Sequence, residues 1–447
     1  YEVGTSWRTY HFCFDRDLYP QFLPSSLSNA QRDTVSSNLL KMQFIFNKAI
    51  DPAKNVEEDP NGGLYDLTSE FDLWIDDFEL TNDPCPESLF EGTGNKPFPQ
   101  NKAPGSCELM PNIAAYNTAL SEYYAEWKTR FLKSDGSVFS PEDNRTISEG
   151  MGYGMLLAAA FGDQAAFDDM WGYVSGNLSG GLMTWVAGGS GSATDADADI
   201  AYALLLAGDQ WGGDYGTRAT AMISAMSADT TGNRINPGSN WGSQDIWNPS
   251  YFTPAYYGEF GGSWSSTFLS SGYQILQSCN AAFGSASNGL VPDWCQASNG
   301  AALDGNAVAQ VVSTLCQPGD CKYYAFDAAR VPWRIGVDAC LNSRSEATTY
   351  LNQLVGHFVS LYGADRIDNV RSGYRPDGGA HAESAEMQAS FIGPVGVGAM
   401  AVNQEAYHRA FRAVLDILRD TRFNRTYYPA TVGMLTLLEM SGNIPHR

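Results

Sequence analysis

The chain has 447 residues, of which 43% are hydrophobic, so it can bury a large core as one big domain or as several smaller ones. It carries 50 acidic and 27 basic side chains, and the formal charge of −23 would repel nucleic acid and anionic lipid. No apolar run is long enough to cross a membrane, so we expect neither nucleic acid nor a membrane as a partner.

Residues 1–110 differ in composition from the rest of the chain. They contain acidic clusters such as Glu57-Glu58-Asp59 and end in a Pro/Gly/Asn-rich stretch at 91–107. Neither feature is typical of a packed core. We predict an N-terminal extension of unknown structure that packs on or beside a separate domain at 111–447.

From Pro111 onward the apolar residues follow helical periods, and alternating strand patterns do not persist. Amphipathic helices are predicted at 112–132, 164–178, 214–228, 345–363 and 404–420, with a weaker candidate at Gly305–Leu315. Segments that are apolar on nearly every face occur at 148–162, 197–208, 263–279, 326–341, 385–402 and 431–440.

The two kinds of helix alternate along the chain, which indicates six helical hairpins. Helices that are hydrophobic all round must be buried, whereas one-sided helices lie outside them. This pattern predicts an all-α fold, an (α/α)6 barrel with an inner ring of parallel helices and an antiparallel outer ring.

In such a ring every inner helix starts at the same end of the barrel, and here most of these starts are acidic. The residues concerned are Glu149, Asp195, Asp197, Asp199, Asp327, Glu383 and Glu386. Each could simply cap its helix, which stabilises a helix by a few tenths to about 1 kcal/mol. Several carboxylates on one concave face would repel each other, however, and this favours a functional site.

The run of alternating aspartates from Asp195 is not an EF-hand, because the sixth and twelfth positions hold Ile200 and Leu206 instead of Gly and Glu. Neither H-E-x-x-H nor G-x-S-x-G occurs. We therefore predict no metal and no cofactor, and carboxylate chemistry instead.

Paired carboxylates in an aromatic-rich cleft are typical of enzymes that cleave glycosidic bonds. Aromatic residues that could stack on sugar rings fall in or near the loops, although any one of them is more often a core residue than a sugar-binding one. They are Trp185, Trp211, Trp241, Trp247, Tyr251, Tyr256, Tyr257, Trp264, Trp294 and Trp333.

The eight cysteines form an even set without a C-x-x-C pair, which favours disulfides over a metal site. Cys316 and Cys321 enclose the turn-forming residues Gln-Pro-Gly-Asp, so we predict a local bridge between them and leave the other pairings open. Because disulfides are typical of extracellular proteins, we expect a secreted protein whose leader has been removed before Tyr1, and we expect a monomer. Buried free thiols in a cytosolic protein are the alternative.

Four segments resemble glycoside hydrolase family 8, and together they span about 190 residues in the family's order. They are "SEGMGYGMLLA" at 148–158, "ATDADADIAYALLLAGDQW" at 193–211, "WNPSYFTPAYY" at 247–257 and "YYAFDAARVPWRIGVD" at 323–338. The resemblance extends over roughly Asn112 to Asn443. It implies an (α/α)6 barrel that inverts the anomeric centre while cutting β-1,4-linked glucan, xylan or chitosan.

The resemblance also implies residue roles. Glu149 would be the general acid and Asp327 the general base, with Arg330 beside it, while Asp195 would bind the sugar at the cleavage subsite. Trp247 would stack on a sugar, and Tyr251 or Tyr257 would lie near the attacking water. Trp185 joins this predicted substrate-binding set, whereas Asp197 and Asp199 are expected to cap the helix or to hydrogen-bond neighbours.

A helix N-terminus lowers the pKa of a carboxylate, yet a general acid must hold its proton near neutral pH. Burial and the charge of Asp195 would have to raise the pKa of Glu149 toward about 6. The resemblance therefore implies a secreted, endo-acting, inverting β-1,4-glucanase that cleaves cellulose-type or mixed-linkage glucan. Chitosan is the first alternative substrate, because the acidic surface suits a polycation, and xylan is the second. A non-catalytic carbohydrate-binding protein and another enzyme on the same toroid, such as a polysaccharide lyase, remain alternatives.

Overall fold

The computed structural model describes residues 90–241, 244–284, 287–303, 322–381, 388–419 and 426–447. Residues 1–89, the helix predicted at Gly305–Leu315, the predicted Cys316–Cys321 bridge and the acidic pair Glu383 and Glu386 lie outside these ranges. No helix in the described ranges is long and apolar enough to cross a membrane.

Twelve α-helices occur in the described residues, and they form two sets. The inner set is α2 (Ser148–Phe161), α4 (Thr194–Trp211), α6 (Pro254–Phe260), α8 (Val331–Asn342), α10 (Ala389–Met400) and α12 (Tyr427–Met440). The outer set is α1 (Asn117–Phe131), α3 (Gln164–Gly176), α5 (Tyr215–Ser227), α7 (Leu269–Phe283), α9 (Ser345–Tyr362) and α11 (Gln404–Arg419).

The inner helices pack against one another in a closed ring. Helix α2 contacts α4 and α12, α8 contacts α6 and α10, and α10 contacts α12. The remaining step joins α4 to α6, where the rings of Tyr202 and Tyr256 stack with centroids 3.8 Å apart. Each later outer helix packs on the inner helix that precedes it, and α1 packs on α12. This arrangement confirms the predicted (α/α)6 barrel.

The close approach of α2 and α4 depends on Gly152. A Cβ atom at Gly152 would lie 2.8 Å from the Cβ of Asp199 and 3.2 Å from the carbonyl oxygen of Ala196, distances that leave no room for a side chain. Glycine weakens a helix interior, so its presence here is explained by packing. The contact holds the first turns of the two helices side by side.

The structure corrects the assignment of the third hairpin. The segment at 263–279 was predicted as an inner helix, but α7 has exposed residues along one face and lies outside. The inner position belongs to α6, a seven-residue helix in which Pro254, Ala255, Tyr256 and Tyr257 are buried.

Short strands and one extended segment complete the described part of the chain. Strands β1 (Leu178–Ser179) and β2 (Leu182–Met183) pair antiparallel, as do β3 (Thr230–Thr231) and β4 (Arg234–Ile235). Residues 90–110 pack on the helices, with Phe98 against Phe161 and a disulfide from Cys107 to Cys340 of α8. This part of the predicted extension therefore covers the ring.

Candidate active site

Three acidic side chains converge on Arg330 at the end of the ring where the inner helices begin. Glu149 is the second residue of α2, and Asp195 is the second residue of α4. Asp327 directly precedes the 3-10 turn Ala328–Arg330, which continues into α8. The common start of the inner helices thus converts distant sequence positions into one cluster.

The guanidinium of Arg330 binds all three carboxylates. Its Nη1 donates to Glu149 Oε2 at 2.7 Å and to Asp195 Oδ2 at 3.0 Å, and its Nη2 donates to Asp327 Oδ1 at 2.7 Å. The Arg330 side chain is 1% exposed, whereas those of Glu149 and Asp327 are 15% and 26% exposed. The charged centre is buried, and two of its carboxylates remain open to solvent.

Further polar groups hold Arg330 and Asp327 in place. Arg330 Nη1 also donates to the hydroxyl of Tyr153 at 2.9 Å, and Nη2 donates to Ser250 Oγ at 2.8 Å. The side-chain amide of Asn248 donates to Asp327 Oδ2 at 2.9 Å. The Oδ1 atom of Asn248 accepts from Ser250 Oγ at 2.7 Å. Both oxygens of Asp327 therefore have defined partners.

Burial raises the pKa of Glu149 to about 8, which is further than the sequence argument required. Arg330 opposes this shift, and the negative charges of Asp195 and Asp327 add to it. Burial also raises the pKa of Asp327, against the opposing effects of Arg330 and the Asn248 amide. At neutral pH the arrangement favours a protonated Glu149 close to its acidic neighbours.

Asp199 forms an ion pair one helical turn below Asp195. Arg334 donates from Nη1 to Asp199 Oδ1 at 2.7 Å and from Nη2 to Oδ2 at 2.6 Å, and both side chains are buried. Asp195 and Asp199 are four residues apart on α4, and Arg330 and Arg334 are four residues apart on the segment that faces it. The ion pairs Asp195–Arg330 and Asp199–Arg334 therefore lie one above the other across the ring, as the upper and lower rungs of a ladder. Asp197 instead accepts from the backbone N–H of Met183 at 2.9 Å. Both residues therefore hydrogen-bond neighbours, one of the two expected roles.

Residues 100–442 match the sequence model of the glycosyl hydrolases family 8. The chain belongs to this family. It is 30% identical to endoglucanase A of Acetivibrio thermocellus over 78% of this chain and 74% of the relative, and 31% identical to endoglucanase 2 of Ruminiclostridium josui over 78% and 77%.

Solved structures agree with this assignment. The apo structure of a β-1,3-1,4-glucanase from Paenibacillus sp. X4 is 26% identical, with a TM-score of 0.69 over 78% of this chain and 99% of that one. A cold-adapted family 8 xylanase, 16% identical, has a TM-score of 0.61 over 78% and 98% and shows the shared fold. The protein is therefore an inverting, endo-acting glycoside hydrolase of family 8, of the endoglucanase type.

The four aromatic residues predicted to bind substrate in this family 8 enzyme lie in different surroundings. The ring of Tyr251 lies 5.8 Å from the guanidinium carbon of Arg330. Trp185 lies beside the first residue of α2, and its carbonyl oxygen accepts from the N–H of Ser148 at 2.9 Å. The guanidinium of Arg145 covers the Trp185 ring at 5.1 Å.

Trp247 and Tyr257 are buried in the hydrophobic core, and their predicted substrate-binding role stays a prediction. Trp247 packs near Phe252, with ring centroids 6.1 Å apart, and Tyr257 packs edge-on against Trp264 at 4.7 Å. Little ring surface is left for a sugar at either residue.

Several residues of the site were not identified from sequence. Tyr153 has a usable signal, since it lies four residues after Glu149 on the same face of α2. Phe326 adjoins Asp327 and is 46% exposed, an unusual position for a large aromatic side chain. Asn248 and Ser250 lie in the segment 247–257 that resembles the family, at the 3-10 turn Pro249–Tyr251, but were not singled out within it. Asp293 comes from a loop and carries no comparable pattern.

No group of metal-ligating side chains occurs in the described ranges. Within the same ranges the cysteines form two disulfides, Cys107–Cys340 and Cys279–Cys295. The described part of this family 8 chain thus offers carboxylates, one guanidinium and aromatic rings for chemistry.

Proposed function

We propose that the protein is a secreted, monomeric endo-β-1,4-glucanase in which Glu149 is the general acid and Asp327 the general base. The observation that carries this proposal is the bridge made by buried Arg330 between these two carboxylates and Asp195. An acid and a base at one mouth are the groups that hydrolysis of a glycosidic bond requires.

Glu149 supplies the proton that the leaving sugar needs. Its raised pKa keeps it protonated below about pH 8, so it can donate to the glycosidic oxygen as the bond breaks. The resulting carboxylate is then stabilised by the Arg330 guanidinium at 2.7 Å. The same contact therefore favours the charge that develops during the reaction.

Asp327 takes the proton from the attacking water. Arg330 and Asn248 each donate to one oxygen of this carboxylate, and each oxygen keeps a lone pair for water. Inverting enzymes separate their two carboxyl groups by roughly 6.5–9.5 Å so that water fits between base and sugar. Glu149 and Asp327 bind different nitrogens of Arg330, so the two carboxyl groups do not share one hydrogen-bond donor.

Asp195 is suited to binding the sugar. One of its oxygens is bound by Arg330, while its buried Oδ1 has no hydrogen-bond partner in the described part of the protein. A buried carboxylate oxygen without a partner is costly, and a sugar hydroxyl can satisfy it. Tyr251 and the exposed ring of Phe326 provide apolar surface nearby.

The names of the relatives favour glucan as the substrate. Two endoglucanases and a β-1,3-1,4-glucanase are among the similar proteins, so both cellulose-type and mixed-linkage chains are included in the proposal. Chitosan is the second candidate, favoured by the net charge of −23, which attracts a polycation. The two disulfides support secretion.

Proton NMR of fresh cellohexaose with the enzyme tests substrate and stereochemistry together. We expect internal cleavage, with the α-anomer of the new reducing ends present in the first minutes and β-anomer forming later by mutarotation. Early β-anomer would contradict the assigned roles of Glu149 and Asp327. Cleavage of chitosan hexamer but not of cellohexaose would transfer the proposal to the second substrate.

The role of Glu149 is tested with a Glu149→Gln variant and two substrates. We expect kcat on cellohexaose to fall by roughly 10²–10⁴-fold, because the leaving sugar must be protonated. A dinitrophenyl cello-oligosaccharide has a leaving group that needs no proton, so its cleavage should decrease far less. Glu126→Gln, which alters an exposed ion pair on α1, is the control and should leave both rates unchanged.

A further inference from the structure

Asp293 holds the backbone on both sides of Asp327. Its Oδ1 accepts from the N–H of Ala325 at 3.0 Å and from the N–H of Ala328 at 2.7 Å. These two N–H groups belong to the residues two before and one after Asp327. Asp293 is only 8% exposed, so both hydrogen bonds lie in a largely dehydrated environment where they are strong.

The segment that carries Asp293 is itself anchored. The N–H of Asp293 donates to the carbonyl of Tyr323 at 2.8 Å. Two residues later, Cys295 forms a disulfide with Cys279 of α7 and exchanges two backbone hydrogen bonds with Trp247, at 2.8 and 2.9 Å. Asp293 is therefore a fixed point to which the turn around Asp327 is attached.

The turn that Asp293 holds carries two site residues. Asp327 is the residue at its N-terminal boundary, and Arg330 is its last residue before α8 begins. Since Arg330 also binds Glu149 and Asp195, a shift of this turn would displace the base and the guanidinium together. Displacements of about 1 Å at a catalytic group can lower the rate by about 10²-fold.

We propose that Asp293 is a positioning residue, whose carboxylate oxygen fixes the backbone around Asp327 and so holds the general base and Arg330 in the geometry needed for hydrolysis. This inference rests on the proposed function, because it assumes that Asp327 is the base. Asp293 itself touches neither substrate nor the reacting atoms in this proposal.

The contribution of Asp293 comes from an oxygen atom in a defined place and not from a negative charge. Burial, with the charge of Asp327 beside it, raises the pKa of Asp293 well above its ordinary value, against the three backbone N–H groups that lower it. The other titratable group facing it is the buried hydroxyl of Tyr324. A neutral side chain with an oxygen at the same distance from the backbone should therefore replace it.

Two substitutions separate position from charge. Asp293→Asn keeps an acceptor oxygen in place and removes the acid, whereas Asp293→Glu keeps the acid and moves the oxygen by one methylene. On cellohexaose we expect Asp293→Asn to retain kcat within about 3-fold and Asp293→Glu to lose about 10²-fold, with KM within about 2-fold in both. Asp293→Ala should resemble the Glu variant.

The matched control is Asp163→Ala. Asp163 caps α3 by accepting from the N–H of Ala166 at 3.2 Å, so its loss should lower the melting temperature without changing kcat. The same assays include Asp327→Asn. If that variant stays active, the proposed function fails.

If Asp327→Asn is inactive, two results would overturn the positioning role of Asp293 alone. One is a Glu variant that works while the Asn variant does not. The other is Asn and Glu variants that both keep normal kcat. Should Asp293→Ala fail to fold, the Asn and Glu variants still decide the question.

Discussion

The proposed general acid of this family 8 enzyme, Glu149, lies in a cluster of three carboxylates. Glu149, Asp195 and Asp327 share one guanidinium, so the cluster carries excess negative charge whenever all three are ionised. Holding a proton on Glu149 reduces that excess, and burial makes this the favoured state. The proposed general acid thus holds its proton because of the same crowding that would otherwise destabilise the site.

With Glu149 as the proposed general acid, its raised pKa predicts the alkaline limit of activity. Glu149 is protonated below about pH 8 and ionises above it, so kcat/KM on cellohexaose should fall as pH rises through about 8. The raised pKa of Asp327 sets the acidic limit, because the base must be ionised. Asp195→Asn removes a negative charge that raises the pKa of Glu149, so the alkaline limb should move to lower pH.

The measurement is a pH profile of kcat/KM for the wild-type enzyme and for Asp195→Asn. Asp168→Asn, which alters an exposed aspartate bound to Tyr215 on the outer helices, is the control and should leave the limb in place. An alkaline limb that is unmoved or raised in Asp195→Asn would show that Asp195 does not act on the proton of Glu149.

At the residue scale, helix starts were the predictable part of the site. Glu149, Asp195 and Asp327 could be grouped because a ring of parallel helices brings its starts to one end, whereas Arg330 was expected beside Asp327 only from the family resemblance. Asn248 and Asp293 could not be grouped in this way, since they reach Asp327 from loops whose paths depend on tertiary packing. The burial of Trp247 was not predicted for the same reason. An aromatic residue in a loop can face either the core or the mouth of the barrel, and the sequence does not decide between them.

At the scale of the elements, two ion pairs link α4 to the segment that carries Arg330 and Arg334. They lie at and beneath the site. The upper rung, Asp195 with Arg330, belongs to the proposed active site. The lower rung, Asp199 with Arg334, is buried at both ends, so losing one partner leaves a charge without compensation. Replacing both partners by apolar side chains avoids that cost.

We therefore expect Arg334→Met to lower the free energy of unfolding by about 3–5 kcal/mol, and Asp199→Leu with Arg334→Met to recover most of it. Urea unfolding at unchanged m value measures both changes. Asp214→Asn breaks an exposed pair with Arg218 on α5 and should cost about 0.5 kcal/mol or less. A double variant as unstable as Arg334→Met would show that the lost volume, and not the unpaired charge, causes the destabilisation.

The third hairpin shows what limits prediction at the element scale. Helix α6 has seven residues, about two turns, which is too short for a periodic pattern to identify an inner helix. The Ser-rich sequence that leads into α7 is neither clearly apolar nor clearly polar. The exposed face of α7 was therefore not recognised. The longer helices α2, α4 and α10 were placed correctly because their apolar character persists over three or more turns.

At the scale of the molecule, the two disulfides within the described ranges have different tasks. Cys107–Cys340 spans 233 positions of sequence and ties the segment at 90–110 to the far end of α8. Cys279–Cys295 spans only 16 positions and anchors the loop that carries Asp293. In the chain-entropy account a longer closed loop stabilises more, by about 2 kcal/mol for this difference in length.

Removing each bridge should therefore affect a different property. Cys107→Ser with Cys340→Ser should lower the free energy of unfolding by about 2–5 kcal/mol and leave kcat on cellohexaose unchanged, because Cys340 lies at the end of α8 away from Arg330. Cys279→Ser with Cys295→Ser should cost less stability but lower kcat, since the loop that positions Asp327 loses its anchor. Denaturant unfolding and steady-state kinetics on both variants measure the two effects. If the long bridge controlled kcat and the short one only stability, the loop of Asp293 would be held by its backbone hydrogen bonds alone.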